Sequence, residues 1–325
     1  MKAACFKDGS ISIQEIDTPA PRPGEALIRV LYSGICNTDI ELYRGYYGFS
    51  GVPGHEFVGI VEEVNDNDRS LVGKRVCADI NIGCGACRRC MSGDSRHCPE
   101  KRTLGINDQQ GIFAEYVALP TGNLFPVPEN VSDEEAVYAE PLAAALEIGQ
   151  QIHITARDRI AVLGDGKLGL LCAFALSVYS PRVLLIGRHE NKLKIASGNG
   201  IDTMVSGDQD LSRQFDMVVE ATGSETGIRD ALTMVRAEGT VVAKTTSHKP
   251  SEIDLAKIVV DEIQIIGSRC GSIPLSLTAL SKKLIPVGAL TEAMYPFLEF
   301  EKGFKHALRK GTLKILLDHT SASNT

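Results

Sequence analysis

The stretch RIAVLGDGKLGLL, residues 159–171, passes from an apolar run through a glycine-rich turn into a helical pattern. The run 159–163 has the near-continuous hydrophobicity of a strand buried on both faces, and 168–179 carries apolar residues at helical spacing. Between them Gly164-Asp165-Gly166-Lys167-Leu168-Gly169 fits G-x-G-x-x-G. In a strand–turn–helix setting the first glycine makes the tight turn and the second lets backbone approach a pyrophosphate. The third lets helix pack on strand, and the helix N-terminus holds the phosphates. Gly164, Gly166, Lys167, Leu168 and Gly169 are therefore expected to bind a dinucleotide. Asp165 is unexpected beside a pyrophosphate; it is expected to face solvent or to be offset by Lys167.

Outward from this stretch the same texture continues. Apolar runs at 183–186, 217–220, 240–243 and 263–267 alternate with helical patterns near 191–198 and 225–236, which predicts a parallel, doubly wound sheet and an α/β fold class. The second of these strands ends at Ile186 and is followed by Gly187 and Arg188. An NAD site usually places Asp or Glu there to accept from the adenosine ribose. Glycine leaves room for a 2′-phosphate, and a guanidinium can clamp it with paired hydrogen bonds, so Gly187 and Arg188 favour NADP(H) over NAD(H). The alternative has Arg188 in solvent and Glu190 on the ribose. Thr222, just past 217–220, is assigned with this set to the cofactor.

The chain has 325 residues, too many for one ordinary core, so two domains are expected. Its 34 basic and 41 acidic residues offer no general attraction to nucleic acid or to a membrane. The N-terminus has no long apolar run, so neither a signal peptide nor an anchor is expected. The first half is rich in short strand-like runs (26–32, 57–64, 75–78 and 113–118), as in a β-rich domain. From about residue 285 the texture is mixed, with strand-like pieces near 294–297 and 313–318 around a helix near 299–309. Residues 319–325 read as a frayed end.

Four of the nine cysteines, Cys84, Cys87, Cys90 and Cys98, follow the spacing C-x2-C-x2-C-x7-C. Four soft thiolates on short glycine-broken turns suit a closed, structural zinc site with no position left for substrate. Cys5, Cys77, Cys172 and Cys270 read as small buried apolar residues, and the whole set as that of a reducing, cytoplasmic protein. The few basic residues near the quartet (Arg88, Arg89, Arg96) and the acidic pI weigh against a zinc-cluster module for nucleic acid. Cys36 stands apart. It lies at the end of a strand-like run, with His55 nineteen residues later, and with nearby glycines and Asp39 the pair is a plausible second metal site.

In order, GICNTDIELYRG, GHEFVGIVEEV, the cysteine quartet, AEPLAAALE and GDGKLGLL resemble the zinc-dependent medium-chain alcohol and polyol dehydrogenase family over nearly the whole chain. The resemblance implies a GroES-like catalytic domain at 1–145, with a structural zinc lobe at about 83–99. It implies a Rossmann cofactor domain at 146–284 and a C-terminal return to the catalytic domain at 285–325. It implies two zincs per chain, a nicotinamide cofactor, and a small alcohol or carbonyl substrate, with pairing into a homodimer or homotetramer through cofactor-domain edges such as 263–266. Cys36 and His55 match catalytic zinc ligands, with Glu56 and Glu140 as the remaining candidates. Thr38 matches the hydroxyl that relays the substrate proton, and Asp39 the carboxylate behind the zinc-bound imidazole. Zinc at such a site acts as a Lewis acid on the substrate oxygen. The histidine that often ends the relay is replaced by Glu41, a poor acid at pH 7. Tyr43, Tyr46, Tyr47 and Phe49 are candidates for the substrate pocket or for loop packing.

Overall fold

Ile160–Leu163 is buried along its whole length because a strand flanks it on each side and helices cover its faces. The computed structural model, which describes residues 1–7, 9–246 and 250–321, places it inside a six-stranded parallel sheet. The order is Asp202–Val205, Val183–Gly187, Ile160–Leu163, Phe215–Glu220, Val235–Ala243, Gln264–Gly267. Strand order reverses between Ile160–Leu163 and Phe215–Glu220, the switch point at which doubly wound sheets bind dinucleotides. Lys167–Ser177, Glu190–Ser197 and Gly227–Met234 supply helices between the strands. Leu163, Ile186, Phe215, Val218, Ile228 and Leu232 share one buried cluster between sheet and helices. The edge strand Asp202–Val205 has only partly buried residues and lacks an apolar run, so its sequence carries no strand signal.

This sheet belongs to one compact unit, Pro141–Ser272 with Lys283–Leu290. The other unit combines Met1–Glu140, Ile273–Lys282 and Thr291–Thr325. Its main sheet is built on Glu25–Gly34, which alternates half-buried and buried residues over its first six positions and pairs antiparallel with Glu56–Val64, Tyr116–Pro120 and Lys314–Asp318. Arg75–Ala78 and Leu124–Pro126 extend it on one side and Thr291–Pro296 on the other. The chain opens on an unforeseen hairpin, Lys2–Lys7 with Ser10–Glu15. The strand expected at 113–118 starts only at Tyr116, although Phe113 is fully buried. Among the described residues, no helix is long and apolar enough to cross a membrane.

Cys77 and Cys172 are buried as expected, whereas Cys5 and Cys270 are partly exposed. The stretch expected to fray begins differently. His319 is buried, its Nε2 within 2.8 Å of Ser33 Oγ and its ring stacked on Phe297 at 4.2 Å; residues 322–325 lie outside the described residues. Burial holds the His319 imidazole down at about 3, against about 6.5 in an unfolded chain. Below pH 6.5 the unfolded state thus binds the extra proton, and stability falls as pH drops toward 3. Between pH 6.5 and 5 wild type is expected to lose about 2 kcal/mol more than His319→Gln, measured by urea unfolding. Equal losses in the two proteins would remove His319 as the cause.

Candidate active site

Register brings the first cluster together. Gly34 pairs with Glu56 across the antiparallel strands, so residues just past one strand meet those just before the next. Cys36 leaves the first strand in extended conformation and caps the helix Asn37–Tyr43. Its backbone N–H donates to Asp39 Oδ2 at 2.8 Å, which aims the other carboxylate oxygen inward. Cys36, His55 and Glu56 each offer a ligand atom, all within 4.8 Å of one another, and His55 and Glu56 are buried. Asp39 Oδ1 stands 3.5 Å from His55 Nδ1. Burial opposes a charge on the imidazole, but the Asp39 carboxylate and then Cys36 hold His55 up at about 10.

Glu140 stands outside this close trio. Burial pushes its carboxyl up to about 7, with His55 pulling down and Glu56 pushing up, so it feels the cluster's charges. Thr38 Oγ1 lies 3.7 Å from Cys36 Sγ. Glu41 faces outward and pairs with Arg44 at 2.8 Å. Of the aromatic candidates, Tyr43 packs edge-on against Phe6 and Phe304 at 5.7 and 5.3 Å, a packing role, while Tyr47 is two-thirds exposed against Tyr46.

One residue of the cluster escaped sequence reasoning. Lys314, at the start of the strand Lys314–Asp318, forms a buried ion pair with Glu56, and its ammonium lies 5.9 Å from the Tyr138 ring centre. Burial works against that charge, but Glu56 keeps the Lys314 ammonium above its ordinary range. No local signal marks Lys314; 258 residues separate it from Glu56. The donors fit a zinc ion, being one thiolate, one imidazole and one carboxylate. His55 Nδ1 and Asp39 Oδ1 face one another, whereas Glu56 Oε1 is buried without a hydrogen-bond partner among the described residues, as expected of a carboxylate oxygen that takes a cation.

The cysteine quartet is likewise drawn together. Cys87 Sγ lies 3.6 Å from Cys90 Sγ and 3.7 Å from Cys98 Sγ. These are the edges of a tetrahedron with metal–sulfur bonds of about 2.3 Å, and far longer than a disulfide. Backbone N–H groups of Cys84, Cys87 and Cys90 donate to the sulfurs of Cys98, Cys84 and Cys87. Such donation favours thiolate, and N–H groups of Ala86 and Cys87 hold Cys84 down at about 7. Gly83 is needed because a side chain there would strike Cys90 Sγ. Cys84→Ser is expected to release one zinc per chain and lower the thermal midpoint, read by metal analysis and a melting curve.

In the other unit Gly164 has φ +108°, and a side chain at Gly169 would strike the carbonyl of Gly164. Gly166 faces open space and caps the helix Lys167–Ser177 with no side chain of its own over the first turn, the open helix N-terminus that suits an anion. Ala221 and Thr222 pack against Gly164. The Thr222 hydroxyl donates to Glu220 Oε1 at 2.6 Å and accepts from Ser224 N at 3.0 Å, which fixes the turn after that strand. Gly187 ends its strand, and Arg188 is exposed beside it. Asp165 departs from expectation, being buried and bonded to the 187–189 turn. The turn fits a dinucleotide.

Residues 22–129 match the family model of the alcohol dehydrogenase GroES-like domain, and residues 166–284 that of zinc-binding dehydrogenases. The chain belongs to the zinc-type medium-chain alcohol/polyol dehydrogenase family. Its fold is the family's, a GroES-like domain with a Rossmann domain, and the chain is an oxidoreductase. It is 32% identical to an L-threonine 3-dehydrogenase of Bacillus subtilis over 94% of each chain. Two solved structures each match with a TM-score of 0.90 at 28% identity. One is the alcohol dehydrogenase RspB of Escherichia coli CFT073 complexed with NADH, covering 98% of this chain and 99% of that one. The other is a zinc-binding dehydrogenase of Sinorhizobium meliloti 1021 bound to NADP, covering 98% of both. Within this family the Cys36–His55–Glu56 trio suits zinc and the glycine turn suits a nicotinamide cofactor.

Proposed function

We propose that this medium-chain dehydrogenase interconverts an alcohol or polyol with its aldehyde or ketone, using NADP(H) and two zinc ions per chain. The Cys36–His55–Glu56 cluster, with His55 and Glu56 buried and Glu56 Oε1 orphaned, carries this reading. Zinc bound there supplies Lewis acidity, which brings a hydroxyl proton within reach of neutral pH. Cys36, His55 and Glu56 would hold the ion, with Glu140, whose carboxyl feels the charges of His55 and Glu56, as the further carboxylate candidate. Asp39 fixes the orientation and tautomer of His55. Thr38 takes the substrate proton at its Oγ1 and passes it outward. Glu41, already paired with Arg44, leaves water as the next acceptor. Cys84, Cys87, Cys90 and Cys98 hold a second, closed zinc.

The cofactor choice rests on Arg188, which is exposed just past a strand end that carries no acidic side chain of its own. A panel of alcohols, polyols and aldehydes with both cofactors, followed by nicotinamide absorbance, tests it. The kcat/KM with NADP(H) is expected to exceed that with NAD(H), and Arg188→Ala to erase about 10- to 100-fold of that preference. A preference for NAD that survives Arg188→Ala would sink the assignment.

Assembly into a homodimer or homotetramer through the edge strand Gln264–Gly267 is part of the same reading. That strand has one sheet neighbour and exposes Ile265, as a pairing edge does. Nine free thiols, among them the zinc quartet, support a reducing compartment, the cytoplasm.

A further inference from the structure

Asp165 sits at the second position of the glycine-rich turn, beneath the end of the neighbouring strand. Its Oδ2 accepts the backbone N–H groups of Arg188 and His189, each at 2.7 Å, and both its oxygens lie 3.0 Å from His189 Nδ1. The carboxylate is 8% exposed. Burial opposes its charge, yet the His189 ring and the two N–H groups hold Asp165 below the usual carboxylate range. A Cβ at Gly187 would come within 2.5 Å of Asp165 Cβ and Oδ2. Asp165 therefore excludes a side chain at position 187. The aspartate fills the space of a strand-end side chain, so the acidic residue that would greet a ribose hydroxyl cannot be placed there.

The charge that remains is spent on three donors within the turn rather than offered to a ligand. Its effect is to fix the peptide that carries Arg188. We propose that Asp165 is the positioning residue for cofactor selection: it holds the Gly187–His189 turn so that Arg188 recognises the adenosine 2′-phosphate. The proposal rests on the NADP(H) reading and adds the element that makes the arginine selective. A flexible arginine on an unanchored turn must be ordered at the moment of binding, and that ordering costs affinity for the phosphate. Loss of Asp165 should therefore act on the ratio of affinities for ligands with and without the 2′-phosphate.

The test is calorimetric titration of the full-length, zinc-loaded protein with 2′,5′-ADP and with 5′-AMP, which needs no substrate. Wild type should bind 2′,5′-ADP at least tenfold more tightly, as one charge-assisted contact allows, and R188A should lose that margin. D165A should lose most of it while binding 5′-AMP as wild type does. D165N, which keeps one acceptor oxygen for the two N–H groups, should fall between them and decides the matter if D165A does not fold. If wild type shows no margin, the NADP(H) reading fails and the proposal with it. If wild type has the margin and R188A lacks it while both Asp165 variants keep it, the proposal alone is overturned. Equal weakening of both ligands by D165N would also overturn it, since a merely structural role predicts that.

Discussion

Cys36→Ser is expected to cut turnover at least a thousandfold, a barrier increase of about 4 kcal/mol, while leaving the fold standing. The hydroxyl of serine stays protonated at neutral pH and is a poor partner for a borderline-soft ion, so the cluster keeps only two good donors. The structural part of Cys36 survives the change. Its backbone N–H still reaches Asp39, and serine is a favourable residue at a helix N-cap. Metal analysis should therefore fall from two zincs per chain to one, with the urea midpoint unchanged. Activity within tenfold of wild type, on protein holding a single zinc, would refute the assignment of the working site.

The second large effect is on stability. Lys314→Met leaves the Glu56 carboxylate, 1% exposed, without its ion partner, and breaking one side of a buried pair costs about 3–5 kcal/mol. Removing both charges is far less costly, because the desolvation penalty disappears along with the attraction. Lys314→Met with Glu56→Gln should therefore recover at least half of the loss in chelator-treated protein, measured by denaturant unfolding. A single Lys314→Met variant that unfolds at the wild-type urea concentration would show that the pair contributes nothing.

The cofactor sheet was legible in sequence because its central strands are buried on both faces and therefore read as unbroken apolar runs. Asp202–Val205, an edge strand with no fully buried residue, has no such signature. The first unit was legible only in texture: its long strands stood out, but the opening hairpin did not. In the site, short spacing betrayed the quartet, and motif context drew attention to Cys36 and His55. Lys314 was invisible because a buried lysine looks like any other lysine until its partner is known. Asp165 was noticed and misplaced. Its partners are two backbone N–H groups and the His189 ring, a set that no local side-chain pattern encodes.

The distance along the chain between Glu56 and Lys314 has a consequence for biogenesis. At translation rates of 5–20 residues per second, a nascent Glu56 waits roughly 13 to 50 seconds for the lysine 258 residues downstream. Through that interval the sheet around Glu25–Gly34 lacks Lys314–Asp318, and burying Glu56 would strand a lone carboxylate. The intervening Rossmann unit has all six strands of its sheet within one continuous stretch and can close first. A ribosome-bound chain should thus carry a folded nucleotide domain beside an unfinished metal pocket, the stage at which chaperones and free zinc meet it.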